Sequence, residues 1–411
     1  MDEITKDVFE GDFPPAIYGK TLEEAEGTIS RVIERVFRDE EGILRSGVNG
    51  RTMKPLRIED VKNRPQGIGT FAENSDIPRE FKPIWTNYEN AGQASGAYLE
   101  ALCAKFRATG DENMRELARR TAQSIVTLWE NAAKIEHPLG GGGKGWLPKP
   151  YAGIKNVAGM HECSIDQYCD VALALHSYYR TFAVDGEKRK IEEIIVSFAD
   201  WWYDHDYCGV YFGRAIYWKR LPWHPMAVAA FLYMNALAYS FRPCRKFQHG
   251  FETWMEKKSV LESPDTLLWS CMHGIPLNCL ERLITLRPDM AGFWSGVVHC
   301  QSASVVKSIE SESGCFYTIN QNAYGAYYLA TAHRLMPNAG YDVRSRRCLE
   351  SCMCRKVFYH IKRGTRMADL DERVAGDDYR NMFMAETHAM CLAAYWHLVP
   401  QKMSTQIKLN R

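Results

Sequence analysis

Several classes of protein are excluded by what this chain does not contain. No apolar run approaches the ~18 residues that a membrane-spanning helix needs, so no span is expected. The start, Met1-Asp2-Glu3-Ile4, has no basic residue and no apolar segment behind it, so no secretory signal is expected. Neither sign of charge is in surplus: 51 Lys and Arg meet 50 Asp and Glu, a formal net charge of +1. That balance leaves no electrostatic footprint for nucleic acid or an anionic membrane. Strand patterns are scarce, and no signature returns at a fixed period. Gly-x-Ser-x-Gly and a dinucleotide fingerprint are both missing. Gly140 to Gly145 is rich in glycine, but no Ser or Thr follows Lys144 and Pro138 stands where a phosphate loop starts with Gly. The run is expected to be a flexible flap. His161-Glu162-Cys163 lacks a second His at zincin spacing, and Cys348, Cys352 and Cys354 lack a second ligand pair. Neither a metal nor a cofactor is expected. The 13 cysteines are odd in number and sit mostly in apolar runs, which reads as reduced thiols in a cytoplasm.

What is present is helix. Apolar residues make up 46% of the 411, with 11 Trp, 21 Tyr and 17 Phe, enough for a large core or for sugar-stacking platforms. Helical periodicity predicts elements over 21–38, 87–109, 112–134, 164–182, 187–204, 224–240, 248–258, 264–286, 291–310, 319–335, 343–361 and 381–398. Thr21 and Glu24 form a capping box, and Gly110-Asp111 reads as a stop and restart. The elements alternate. Those beginning near 87, 164, 224, 264, 319 and 381 are apolar nearly all round, so each should be buried nearly all round. Each of the others carries a solvent stripe. Met114, Leu117, Thr121, Ile125 and Leu128 line one face of the third helix; Ile191, Ile194, Ile195, Phe198 and Trp202 line one face of the fifth. Short turns follow the apolar helices and long loops follow the striped ones, so successive helices run antiparallel. The expectation is an all-α, single-domain (α/α)6 toroid over residues 1–411, with 1–20 as an N-terminal extension and 39–86 as a long loop insertion. A linear helical solenoid is the alternative.

In such a ring the inner-helix N-termini and the long loops share one mouth. Asp166 and Gln167 open a helix with no further charge between Asp170 and Arg180. Asp166, Glu89, Glu386, His161 and Tyr151 are the candidate catalytic groups. Asn90, Lys149, Gln167, Trp218, Trp223, His224, His273, Gln321, Asn322 and His388 are the candidate substrate-binding groups. Amides, imidazoles, carboxylates and aromatic plates suit a polyhydroxylated ligand, and glycoside cleavage needs a proton donor and a second carboxylate. Each also has a plainer reading. Gln167 could complete a capping box with Ser164, and Asp166 and Glu89 could serve the helix dipole. His273 and His388 lie in apolar runs where a core histidine is ordinary, and Glu386 needs a partner or a cavity to be buried there.

Two stretches resemble the six-hairpin glycosidase superfamily, nearest to unsaturated glucuronyl and rhamnogalacturonyl hydrolases. Tyr88-Glu89-Asn90-Ala91-Gly92, followed by Phe106-Arg107-Ala108-Thr109-Gly110-Asp111, looks like the helix that bears one site aspartate and the turn after it. Ser164-Ile165-Asp166-Gln167, running into Ala172-Leu173-Ala174-Leu175, looks like the helix led by the general acid/base. The resemblance implies the toroid and assigns Asp166 that role; in the family the acid protonates the C4–C5 double bond of an unsaturated uronic acid. The second aspartate position holds Asn90, with Glu89 beside it.

The expected function is therefore a cytoplasmic carbohydrate-active enzyme that cleaves a short, uronic-acid-containing oligosaccharide by acid/base catalysis. Asp166 would be the acid/base, Glu89 or Glu386 the second carboxylate, and Lys149, His161 and His224 the holders of a substrate carboxylate. The rivals are a lyase with Tyr151 or His161 as base, an epimerase using His224 and His388, and a non-catalytic sugar-binding protein. The expected partners are a small oligosaccharide and, at most, a second copy of the chain; nucleic acid and membrane are excluded.

Overall fold

In the computed structural model, both arms of the Thr21–Glu24 capping box form. The Glu24 N–H donates to Thr21 Oγ1 (3.2 Å) and the Thr21 N–H donates to Glu24 Oε2 (3.3 Å). This opens α1 (Leu22–Val32), which runs on as one π turn, Ile33–Phe37. The structure describes residues 21–49, 53–55, 87–136, 141–151, 153–211, 214–221, 224–262, 275–310, 319–354 and 382–400. After α1 come α2 (Ala91–Thr109), α3 (Asn113–Ala132), α4 (Ile165–Thr181), α5 (Asp185–Asp204), α6 (Pro225–Phe241) and α7 (Arg245–Met255). Then follow α8 (Ile275–Leu286), α9 (Ala291–Glu310), α10 (Ile319–Leu335), α11 (Tyr341–Met353) and α12 (Ala385–Leu398). None of these is long and apolar enough to cross a membrane.

The even-numbered helices form the inner ring. Each packs against the next, from α2 through α4, α6, α8 and α10 to α12, and α12 packs back against α2. That last contact closes an (α/α)6 toroid and rules out an open solenoid. The odd-numbered helices lie outside, each against its inner neighbours. Among the described residues α12 has no outer helix after it; α1, from the other end of the chain, packs on it. Two short antiparallel ribbons are the strands among the described residues. β1 (Gly47–Asn49) pairs with β4 (Met382–Met384), Gly47 opposite Met384, and ties the same two ends of the chain together. β2 (Cys208–Tyr211) pairs with β3 (Arg214–Tyr217).

Burial follows the alternation. α6 buries every residue from Pro225 to Ala238, whereas α5 buries Ile191, Ile194, Ile195, Phe198 and Trp202 and leaves its charged face outside. Fully burying side chains of this size stabilises by about 1.5–3 kcal/mol each. Many aromatics are core rather than platform. Phe231 of α6 stacks on Trp254 of α7 (centroids 4.6 Å apart) and meets Trp202 of α5 edge-on (5.2 Å). α2 and α4 cross so closely that a Cβ at Gly96 would stand 2.8 Å from the Asp170 carbonyl oxygen, a distance only glycine tolerates. Gly110 ends α2 in the left-handed region (φ 77°), and Asp111 Oδ1 accepts the Asn113 N–H (3.0 Å) to start α3.

Two expectations are corrected. The helix expected over 187–204 starts two residues earlier: α5 begins at Asp185, with the Glu187 carboxylate accepting the Val184 N–H (3.0 Å). The described part of the glycine run, Gly141–Gly145, is no flap. The Gly142 carbonyl accepts the Trp201 indole N–H (2.9 Å), and Gly145 lies against the backbone of Ser197.

Midway down the ring the inner helices carry buried charge. Glu100 of α2 accepts from Arg282 of α8 (3.2 Å), from His397 Nε2 of α12 (3.0 Å) and from Arg107 (3.4 Å), and Ser177 of α4 donates to its other oxygen. Burial alone would raise the Glu100 pKa; Arg282, His397 and Arg107 outweigh it and hold the carboxyl well below its ordinary value. Four inner helices thus share one matched charge.

Candidate active site

The starts of three consecutive inner helices, α12, α2 and α4, meet at the long-loop face. Ser46 sets two of them. Its hydroxyl accepts the Asn90 N–H (2.6 Å), its carbonyl accepts the Ala385 N–H (2.8 Å), and its N–H donates to the Asn87 carbonyl (2.5 Å). This seats Glu386, in the first turn of α12, beside Asn90. The Asn90 Nδ2 donates to Glu386 Oε1 (3.2 Å). Glu386 is 4% exposed, and burial, reinforced by the negative charge of Glu89, pushes its pKa up to about 7 despite the pull of Asn90 and Lys149.

α4 begins at Ile165 with Ser164 as N-cap, and the serine hydroxyl makes no capping bond. No capping box forms. Gln167 instead donates its Nε2 to the Glu89 carbonyl (2.6 Å), locking α4 to the residue before α2, with its Oε1 turned to Gly92. Asp166, half-buried, accepts the Gln167 N–H (3.0 Å) and acts electrostatically on Lys149, Tyr211, His224 and Asp170. One turn further along α4, Asp170 is buried and accepts Gln93 Nε2 of α2 (2.9 Å); the Tyr324 hydroxyl of α10 donates to Gln93 Oε1 (3.2 Å). Burial first, then the nearby Asp166, pushes Asp170 up to about 7.

Lys149 links these groups. Its N–H donates to the Glu162 carbonyl (2.7 Å), which fixes the loop. Its ammonium lies 3.2 Å from Glu89 Oε1 and 3.4 Å from the Tyr211 hydroxyl, with 2% of the side chain exposed. Burial pulls its pKa down, but Tyr211, Glu89, Asp166 and Glu162 outweigh that and hold it above the ordinary lysine value, so it stays charged. Tyr151 is fully buried and donates to Glu162 Oε2 (2.8 Å); burial and that carboxylate hold its phenol well above its ordinary value. Tyr151 is thus a strut under the loop and is badly placed to act as a base.

His161 is half-buried on the segment leading into α4. His224 precedes Pro225 at the start of α6 and meets Trp218 edge-on (5.6 Å, 87°). Burial pushes its ring down to about 4, against the pull of Asp166. His388 does not join the site. It is 0% exposed, pairs through Nδ1 with the Met384 carbonyl (2.7 Å) and packs 5.1 Å from the Phe37 ring. Residues two apart on a helix point ~200° apart, so Glu386 at the mouth turns His388 into the wall. Trp223 and His273 lie outside the described residues; Gln321 and Asn322 fall in the first turn of α10, but their side chains lie outside them too. Cys352 faces Cys391 across a thiol–thiol contact.

Sequence reasoning missed Ser46, Gln93, Tyr211 and Tyr324. Only Tyr211 left a signal: an aromatic followed two residues later by Gly213, before Arg214, marks a hairpin whose strand could face the mouth.

No protein-family model matches the sequence, and no curated protein matches it. Solved structures do. A sugar epimerase from a ruminal bacterium is similar at TM-score 0.54 and 10% identity, over 90% of this chain and 97% of that one. A family 76 glycoside hydrolase from a bovine Bacteroides thetaiotaomicron strain is similar at TM-score 0.53 and 11% identity, over 93% and 78%. A family 76 glycoside hydrolase (mannosidase) from Bacteroides thetaiotaomicron VPI-5482 gives 0.50 and 10%, over 92% and 97%. At these identities the likeness is one of fold, and the fold they share with this chain is the (α/α)6 toroid.

Proposed function

We propose that the protein is a glycoside hydrolase acting on a short oligosaccharide, with Glu386 and Asp166 as its carboxyl pair. One observation carries this: carboxyls from three adjacent inner-helix starts surround a single buried ammonium, and they stand in different environments. Glu386 is buried and holds a proton up to about pH 7, so it suits the donor to a leaving glycosidic oxygen. Asp166 is half-buried at the N-terminus of α4, where a helix dipole favours a carboxylate, and suits the group that attacks or activates water. Lys149 is ion-paired with Glu89 (3.2 Å), which leaves Glu386 and Asp166 as the pair.

The charge balance bears on the substrate. Around Lys149 the described residues supply Glu89, Glu162, Asp166, Asp170 and Glu386, and its ammonium is already paired with Glu89. His224, pushed down to about 4, adds no positive charge at neutral pH. With Lys149 already paired to Glu89 and His224 neutral, neither group is open to a uronate carboxylate, so we take the substrate as a neutral glycan rather than the uronide expected from sequence. A lyase based on Tyr151 is disfavoured by the held proton of that phenol, and an epimerase using a His224–His388 pair by the burial of His388. A cytoplasmic setting belongs to the same proposal, since the described cysteines are thiols.

The test is reducing-sugar release from neutral mannose, glucose and xylose oligosaccharides, alongside saturated and 4,5-unsaturated uronides followed at the alkene absorbance. Release from a neutral glycan, lost by about 10²–10⁴-fold in both Glu386→Gln and Asp166→Asn, supports the proposal. Turnover of uronides alone, or activity that survives both substitutions, overturns it.

A further inference from the structure

A polar cavity of about 360 Å³ is lined by Asp39, Glu41, Arg45, Tyr88, Lys155 and Asn156. That volume is at the lower end of the ~300–1,000 Å³ of small-ligand sites. Two stretches of the chain link its lining to the mouth. Tyr88 immediately precedes Glu89, and consecutive Cα atoms stand only ~3.8 Å apart. The loop that carries Lys149 at the carboxyl pair reaches Asn156 at the cavity. The cavity is preformed. The Asp39 carboxylate accepts the N–H groups of Glu41 (2.9 Å) and Ile43 (3.1 Å), so the acidic turn is rigid. Tyr88 donates its hydroxyl to Asp39 Oδ2 (2.9 Å), which fixes a half-buried ring whose polar end is already satisfied and which offers a ligand its surface.

Its charges set the class of ligand. Lys155 is paired with Glu41 (2.6 Å), and Arg45 acts on Asp39, so neither cation is left over for an anion. Paired donors and acceptors around an aromatic ring suit hydroxyl groups.

We infer that this cavity is a distal subsite that holds an uncharged sugar unit of a longer oligosaccharide, one or two units from the bond cleaved at Asp166 and Glu386. The inference rests on the proposed function and extends it: the enzyme prefers chains over disaccharides, and a uronate at the distal end is rejected.

The experiment measures kcat/KM for linear neutral mannose, glucose and xylose oligosaccharides of two to five units, on the wild type, Arg45→Ala and Asn156→Trp. Asn156 is exposed, so the indole fills the cavity without disturbing the core. The wild type is expected to favour the tetrasaccharide over the disaccharide at least tenfold, and both variants to reduce that ratio at least fivefold. A tetrasaccharide ending in a uronate is expected to lose the same advantage in the wild type. Turnover with a ratio unchanged in both variants sinks the subsite and leaves the hydrolase reading standing. No turnover at any length sinks the hydrolase reading and the subsite with it.

Discussion

Replacing Glu386 by Gln should stabilise the fold at alkaline pH while it abolishes activity. The carboxyl has an ordinary value of 4.5 and is raised to about 7 in the folded protein. Between those values the native state keeps a proton that the unfolded chain releases. Stability from this group is therefore whole below pH 4.5, is lost as pH rises through 4.5–7, and stays lost above. The difference corresponds to about 3 kcal/mol. Glutamine does not ionise, and its carbonyl oxygen still accepts from Asn90 as Oε1 does now. The variant should match the wild type near pH 4.5 and exceed it by about 3 kcal/mol at pH 8. With an unfolding entropy of about 2.1 cal/mol/K per residue, that is a rise in Tm of roughly 3–4 °C for a chain of this length. Thermal melts by circular dichroism at pH 4.5, 6 and 8 read the difference. Wild-type and variant melts that run parallel across this range would refute the argument, because the carboxyl would then not be holding its proton. The same proton sets a functional limit: wild-type turnover should decline as pH rises past about 7.

Three further substitutions test the frame around the site. Asp170→Asn should raise stability at pH 8 relative to pH 4, since Asp170 is also pushed up to about 7 by burial; urea midpoints at the two pH values measure it, and no pH-dependent gap would count against the buried placement. Arg282→Met should cost about 3–5 kcal/mol, because it leaves Glu100 buried with one matched charge fewer; urea unfolding at pH 7 reads it, and a loss under 1 kcal/mol would show that the pair is solvated. Tyr168→Phe should cost about 1–3 kcal/mol in urea unfolding, because the hydroxyl accepts the Leu147 N–H (2.6 Å) and donates to the Gly145 carbonyl (3.0 Å).

The parts of the site that could be read from the chain are those whose oddness is local. Asp166, Glu89 and Glu386 are charges at the starts of helices that are otherwise greasy, and Lys149 is a cation between two prolines. Each is anomalous within a few residues of itself. Ser46 and Gln93 are not anomalous in any window. They matter because β1 meets β4 across the whole length of the chain and because α2 crosses α4 at a glycine. Glu386 and His388 make the same point from the other side. Both looked like polar groups in an apolar run, and only the rotation of α12 in the ring decides that one meets Asn90 and the other Phe37.

By itself the sequence determined the helices, the Thr21–Glu24 cap and the order of inner and outer, because hydrophobic periodicity and capping act over one or two turns. Tertiary structure alone decided that α1 serves as the outer partner of α12, that Glu100 is matched by Arg282 and His397 from the far half of the chain, and that Asp39, Arg45 and Tyr88 line a cavity with Lys155 and Asn156. Those outcomes depend on which side chains meet once the ring closes, and such meetings join segments far apart along the chain, each of which looks ordinary on its own.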